Sequence, residues 1–347
     1  MATTQTLLVS IADTIKDYRQ GEIPQPTPTH VAKWVNQFDA SQQSAILNEM
    51  DVLLKKTYFN KATMEGFLSN LVSNAKLVGA NPAQFWHSVN FLDIQDGGSS
   101  QHEMLMMFSQ IMKSKLGIRL DQCGSKGGLY VYLDDMSFTG NRVLNDLNKW
   151  IRDDAPSKAA VHVIVGAFHS GGQWYADKGI QETAVKEKKS ISLAWWRMME
   201  LEDRVNSNNT SDVFRPSSLP TDATMTSYVN GLAYPPPLRD AGHMGQCKVF
   251  ADEQGRHLLE QQFLTAGLRV RAMCPNLPAT HRLLGYASTN SRKTLGFGST
   301  LVTFRNCPNN CPLAFWAGDP WYPLFPRKNN IKKFARSAAI DRDSIPF

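Results

Sequence analysis

No uninterrupted apolar run in the 347 residues approaches the roughly 18 that a membrane-spanning helix requires, so no membrane partner is expected. Met1–Ser10 lacks a basic segment followed by an apolar core, which argues against secretion and for a cytoplasmic setting. Cysteine is scarce as well: five residues, an odd number and widely scattered, make no disulfide framework and fit a reducing compartment. The chain has no G-x-x-x-x-G-K-[ST] loop, which lowers the nucleoside-triphosphatase reading. It also has no internal repeat and no low-complexity tract, so neither a solenoid nor a mainly disordered chain is indicated.

What remains is a chain with 42% hydrophobic residues, enough for a sizeable core in one large domain or two smaller ones. The formal charge of +6 permits nucleic acid or an acidic partner without singling out either. Basic residues gather at Lys186–Lys189 and at Arg327, Lys328, Lys332 and Lys333, and both groups read as solvated faces.

The most informative stretch runs from Gly127 to Asn141. Leu129–Leu133 is β-branched and aromatic enough for a buried parallel strand, which would deliver Asp134 and Asp135 at its carboxyl end. Ligands of open α/β sheets sit at that end. Ser137-Phe138-Thr139-Gly140-Asn141 forms a turn, after which Val143, Leu144, Leu147 and Trp150 recur at helical spacing. A turn entering a helix offers free backbone N–H groups to a phosphate. Carboxylates can accept hydrogen bonds from sugar hydroxyls or hold Mg²⁺ through water. One segment is thereby equipped for both ends of a ribose phosphate.

A second loop, Asp96-Gly97-Gly98-Ser99-Ser100, precedes Met104, Leu105, Phe108 and Ile111 and follows a strand expected over Trp86–Leu92. Ala160–Phe168 reads as the next parallel strand, placing His169 at the same sheet end, while His162 within it reads as structural. Ahead of the core, Val31, Trp34, Val35 and Phe38 fall on one helical face with Thr29 as the expected cap; Ile46, Met50, Leu53 and Leu54 continue an apolar stripe. Beyond the core, Phe250–Glu260 opens a helix that should stop at Gly267, with Arg256 and Glu260 four apart on one face. Leu301–Phe304 reads as a strand, and Arg305–Pro312 as a Pro-bounded turn in which Asn306 and Asn309 are loop residues or substrate contacts. Cys307 and Cys311 lack the second pair of a zinc site. Trp316, Trp321 and Phe325 read first as anchors of a C-terminal cap and second as a stacking surface for a nucleobase.

The segment Gly127–Asn141 resembles the phosphoribosyl diphosphate signature of type I phosphoribosyltransferases: a hydrophobic strand, two acids and a Thr-Gly loop. Together with Pro28–Phe38, Phe250–Glu260 and the Leu295–Arg327 motifs, the chain resembles the PRTase-CE family, phosphoribosyltransferase-like proteins of bacterial conflict systems. The resemblance implies that Asp134 and Asp135 bind the ribose hydroxyls and are catalytic. It also implies that Ser137, Thr139, Gly140 and Asn141 line the 5′-phosphate loop, and that Gly97, Gly98, Ser99 and Ser100 contact pyrophosphate. Mg²⁺ is the implied cofactor, held by Asp134 and Asp135 through water. His169, Asn306 and Asn309 are further candidate substrate contacts.

The implied fold is α/β, a mainly parallel sheet flanked by helices. The expected regions are an N-terminal helical region at 1–80, the phosphoribosyltransferase-like core at 81–205, and a loop-rich insertion with an α+β cap at 206–347. The implied function is an antiphage effector acting at ribose C1 of phosphoribosyl diphosphate or a nucleotide, by transfer or hydrolysis. Its implied partners are a winged-helix protein and a retron reverse transcriptase with its DNA. Two departures stand against the enzyme pattern: Met136, Ser137 and Phe138 interrupt a loop that is usually small and hydroxyl-bearing, and Asn141 stands where Thr or Ser is common. They leave a non-catalytic nucleotide sensor, or a partner-binding module, as the alternative.

Overall fold

A computed structural model describes residues 3–204, 209–287 and 294–327. Lys328, Lys332, Lys333 and Asn206 lie outside them. The chain divides into two compact units, Ala62–Leu201 on the one hand and Met1–Lys61 with Glu202–Phe347 on the other. The sequence regions at 1–80, 81–205 and 206–347 thus differ from the contact grouping, in which the first 61 residues join the C-terminal third.

The Ala62–Leu201 unit is α/β with an entirely parallel sheet. Its strands are β1 (Asn90–Leu92), β2 (Tyr130–Ser137), β3 (Lys158–His169), β4 (Ser190–Trp196) and β5 (Met199–Leu201), ordered β1-β2-β3-β4 with β5 beside β3. Three helices connect them: α1 (Ser100–Leu116), α2 (Asn141–Asp153) and α3 (Ser170–Lys186). Strand β3 is 12 residues long and carries two neighbours in succession, β4 along Lys158–Ile164 and β5 along Ala167–His169. Gly166 marks the changeover: its carbonyl accepts the Met198 N–H at 3.0 Å, and a Cβ there would lie 2.7 Å from the Met64 methyl. One face of the sheet is sealed by Val143, Leu147, Trp150 and Ile151 of α2 with Ala176 and Ile180 of α3, packed on Tyr132, Val161, Val163 and Val165. A period-3.6 stripe meeting β-branched strand residues is the expected chemistry of such a layer.

The strand expected over Trp86–Leu92 is strand only in its last three residues, and its first three are helix. Asn81 accepts the Gln84 N–H at 3.1 Å and Pro82 occupies the first turn, so Pro82–Ser88 is helical and only Asn90–Leu92 is strand. Trp86 is fully buried in that helix and donates its indole N–H to the Val72 carbonyl at 2.9 Å.

In the other unit, helices Thr4–Thr14, Pro28–Val35 and Gln43–Thr57 pack on one another, the third also packs on α4 (Glu253–Met273), and the short strand Tyr58–Phe59 runs parallel to Val302–Thr303. The cap of the second helix is Thr27, not Thr29: its hydroxyl accepts the His30 N–H, and Pro28 opens the first turn. Helix α4 does not stop at Gly267. A Cβ there would sit 2.9 Å from Leu283, so the glycine serves close packing in mid-helix. Arg256 and Glu260 pair at 2.9 Å as their spacing indicates, fully buried, and Arg239 joins them at 3.0 Å. Trp316, Trp321 and Phe325 are buried; Trp321 packs edge-on against Phe38 and Phe325 against Tyr18. Within 209–245 the one helix among the described residues is Ala223–Asn230.

Candidate functional site

Strand β2 runs four residues past the run Leu129–Leu133, because Met136 and Ser137 still pair with Ala167 and Phe168 of β3. The two acids therefore lie within the strand's last half and not at its final residue. Asp134 is only 3% exposed, and its Oδ1 accepts the Asp135 N–H at 2.8 Å. Asp135 is half-buried and in the same way accepts the Met136 N–H at 2.8 Å. Each carboxylate is thus turned along the strand toward its carboxyl end, which orients both before any ligand arrives.

The Asp93–Ser100 loop closes on this strand. Gln101, fully buried in the first turn of α1, accepts the N–H groups of Ile94 and Gln95 at 2.7 and 2.9 Å. Pinned there, Gln95 donates its side-chain amide to Asp134 Oδ2 at 3.3 Å and bonds Ser100 Oγ at 3.1 Å. Gly97 and Gly98 hold φ of 74° and 98°, a conformation in which side chains are strained. Ser99 occupies the cap position of α1, but its hydroxyl donates to Glu103 at 2.6 Å and leaves the helix start without a side-chain cap. Gly97, Gly98, Ser99 and Ser100 are in this way brought alongside Asp134.

The Phe138–Asn141 turn completes the arrangement. Phe138 is buried, which accounts for an apolar residue in a loop otherwise built of small ones. Gly140 starts α2 at φ 75° without a side-chain cap, and Thr139 Oγ1 meets the Asn141 N–H only at 3.4 Å. First-turn N–H groups have no acceptor within their helix, so the turn presents donors and the positive end of the helix dipole. From this turn Arg142 reaches across to the other loop, where its Nη1 donates to the Asp96 carbonyl at 2.8 Å. Beneath it the Tyr132 hydroxyl donates to Asp146 Oδ2 at 2.8 Å, both residues being buried. Burial raises the Asp146 carboxyl above its ordinary range, opposed by the Tyr132 hydrogen bond and the Arg142 charge. The Tyr132 phenol is raised by burial and by the charges of Asp134 and Asp146.

His169 ends β3 half-buried, and its ring lies 3.3 Å from where a Gly171 Cβ would stand. Since Asp134 pairs with Val165 and Ser137 with Phe168, His169 sits one step beyond the second pair, level with the turn and not with Asp134. Asn306 and Asn309 belong to the other unit. There the Asn306 N–H bonds Thr303 and the Asn309 carbonyl accepts the Tyr286 N–H at 2.7 Å. Sequence reasoning missed Gln95, Arg142, Tyr132, Asp146 and Gly172, whose carbonyl oxygen lies 2.1 Å from where a Gly140 Cβ would stand. Only Gly172 had a signal, since two adjacent glycines opening a helix call for a packing reason.

A family model described as PRTase-CE matches residues 31–327, most of the chain, and the chain belongs to that family. No curated protein and no solved structure matches it. Among the described residues no helix is long and apolar enough to cross a membrane.

Proposed function

We propose that this PRTase-CE protein carries a phosphoribosyltransferase-like site for phosphoribosyl diphosphate or a nucleotide and acts at ribose C1, by transfer or hydrolysis, as a cytoplasmic antiphage effector. The observation that carries the reading is the convergence on one strand end of paired carboxylates and two glycine-bearing loops, joined through Gln95–Asp134 and Arg142–Asp96. Asp134 and Asp135 accept hydrogen bonds from the ribose hydroxyls. The first-turn N–H groups of α2 take the 5′-phosphate, and those of Gly97–Ser100 take the pyrophosphate. As the bond at C1 lengthens the sugar gains positive charge, which two fixed carboxylates stabilise without having to reorganise.

Mg²⁺ fits the donor set in one way. Among the described residues no three acidic, histidine or cysteine side chains converge as a metal cage, whereas paired carboxylates suit a cation that keeps its waters and substrate phosphates. Asp134 and Asp135 would hold it through water, and when bound it supplies charge to the departing diphosphate. A winged-helix protein and a retron reverse transcriptase with its DNA are the proposed partners, supported by family membership.

The test is to incubate the full chain, and an Asp134→Asn/Asp135→Asn variant, with Mg²⁺, phosphoribosyl diphosphate and a nucleotide pool, with and without co-encoded partners, and follow every species by mass spectrometry. Loss of one species with wild type only is the expected result. Binding without consumption would favour a non-catalytic sensor. One observation supports that second reading: Asp134 is 3% exposed, with both oxygens already bonded to protein.

A further inference from the structure

We infer that Arg142 selects ligands bearing a diphosphate over those bearing a single phosphate, by spanning the gap between the two phosphate-binding loops. The inference rests on the ribose-phosphate reading of this site and adds to it a residue and a discrimination. Arg142 is the second residue of α2, so its backbone belongs to the turn that would hold the 5′-phosphate. Its side chain leaves that turn, and Nη1 ends 2.8 Å from the carbonyl of Asp96, the residue before Gly97 and Gly98. The guanidinium is consequently at the pyrophosphate loop, not at the turn from which it springs.

Three features suit it to that task. A guanidinium presents five N–H donors in a planar fork, so a single bond to Asp96 leaves donors for phosphate oxygens beside the Gly97–Ser100 amides. Arg142 is exposed, which lets a ligand reach it without unfolding anything. Behind it, one helical turn on, stands the buried Asp146, fixed by the Tyr132 hydroxyl at 2.8 Å and close enough for the Arg142 charge to act on its carboxyl. The Asp96 carbonyl holds the guanidinium by a hydrogen bond, and the Asp146 carboxyl one turn on adds the attraction of its charge. A ligand with only the 5′-phosphate would occupy the α2 turn and gain little from this side chain. One that extends a diphosphate toward Gly97 and Gly98 would meet a charge already in place.

The experiment is calorimetric titration of the full chain with Mg²⁺ and, separately, phosphoribosyl diphosphate, ribose 5-phosphate and inorganic pyrophosphate, for wild type, Arg142→Gln and Arg142→Lys, with melting curves to confirm folding. The expected result is that Arg142→Gln weakens phosphoribosyl diphosphate and pyrophosphate by about tenfold or more, the scale of one charge-assisted hydrogen bond, while ribose 5-phosphate changes less than about twofold. Arg142→Lys, which keeps the charge and loses the fork, should fall between. Equal weakening of all three probes in Arg142→Gln would overturn the inference while leaving the site intact, as would no change in any. If wild type binds none of the three, the ribose-phosphate reading itself fails, and the selectivity with it.

Discussion

Gly140 and Gly172 touch backbone to backbone: a Cβ on Gly140 would fall 2.1 Å from the Gly172 carbonyl oxygen, and one on Gly172 would fall 2.0 Å from the Phe138 carbonyl oxygen. The turn entering α2 is thereby seated on the first turn of α3. Gly172→Ala must push the two apart, at a cost of about 1–3 kcal/mol for an overpacked position. Denaturant unfolding should show that loss, and ribose 5-phosphate binding should weaken with it. A variant as stable as wild type would mean the turn moves freely.

Asp135→Asn changes a half-buried side chain, so the fold should survive while ribose-phosphate binding drops by about tenfold or more, the value of a hydrogen bond to a charged group. Thermal shift with and without phosphoribosyl diphosphate measures both quantities at once, because a ligand stabilises the native state by an amount that grows with the logarithm of its affinity. An unchanged ligand-induced shift would remove Asp135 from the site.

Tyr132→Phe deletes the donor to Asp146 and leaves a buried carboxylate without it, a loss of about 1–3 kcal/mol. The pH dependence has a definite sign. Burial already raises Asp146 above its unfolded value, so its contribution to stability declines as pH rises from the unfolded pKa toward the folded one. Without the phenol, which lowers the carboxyl, that window extends to higher pH. Stability curves of the two proteins should therefore diverge with increasing pH, and parallel curves would count against the pairing.

His30 donates its Nε2–H to the Leu324 carbonyl at 2.8 Å and accepts the Tyr322 hydroxyl at Nδ1 at 2.9 Å, and burial lowers its pKa to about 4. A depressed histidine contributes stability that is complete above the unfolded value of about 6.5 and lost as pH falls toward about 4. The full loss is on the order of 3 kcal/mol. His30→Gln should flatten this part of the acid limb relative to wild type; equal slopes between pH 6.5 and 4 would show that His30 does not carry it.

Glu260 compensates two buried guanidinium groups, Arg256 at 2.9 Å and Arg239 at 3.0 Å. Glu260→Gln should cost about 3–5 kcal/mol, since removing one member of a buried ion cluster strands the others. Reduced expression or a lowered unfolding midpoint reports it. Wild-type stability would mean that water reaches the arginines.

The core was legible because its signals are local. The run Tyr130–Leu133 is strand-like, the apolar spacing from Val143 to Trp150 is helical, and Arg256 and Glu260 stand one turn apart. What could not be read depends on tertiary proximity. Gln95 meets Asp134 across 39 residues and Arg142 meets Asp96 across 46, and nothing in either neighbourhood announces the pairing. Trp86 misled because an aromatic followed by Val89 and Phe91 suits either a strand or a helix, and Asn81-Pro82 decided for the helix. Gly267 misled because a glycine that ends a helix and one that admits a neighbouring backbone look alike in sequence.

The grouping of residues 1–61 with 202–347 has a consequence for the order in which the chain is made. A ribosome delivers the three helices of residues 1–61 before the sheet, yet Trp34 bonds the Ala314 carbonyl, Tyr18 the Pro326 carbonyl and Arg19 the Phe304 carbonyl, all synthesised after it. The Ala62–Leu201 unit has every strand of its sheet once Leu201 has emerged, so it can close while the earlier helices still wait with their apolar faces uncovered. A segment made before the sheet is therefore finished after it, and its apolar faces stay open to other contacts in the interval.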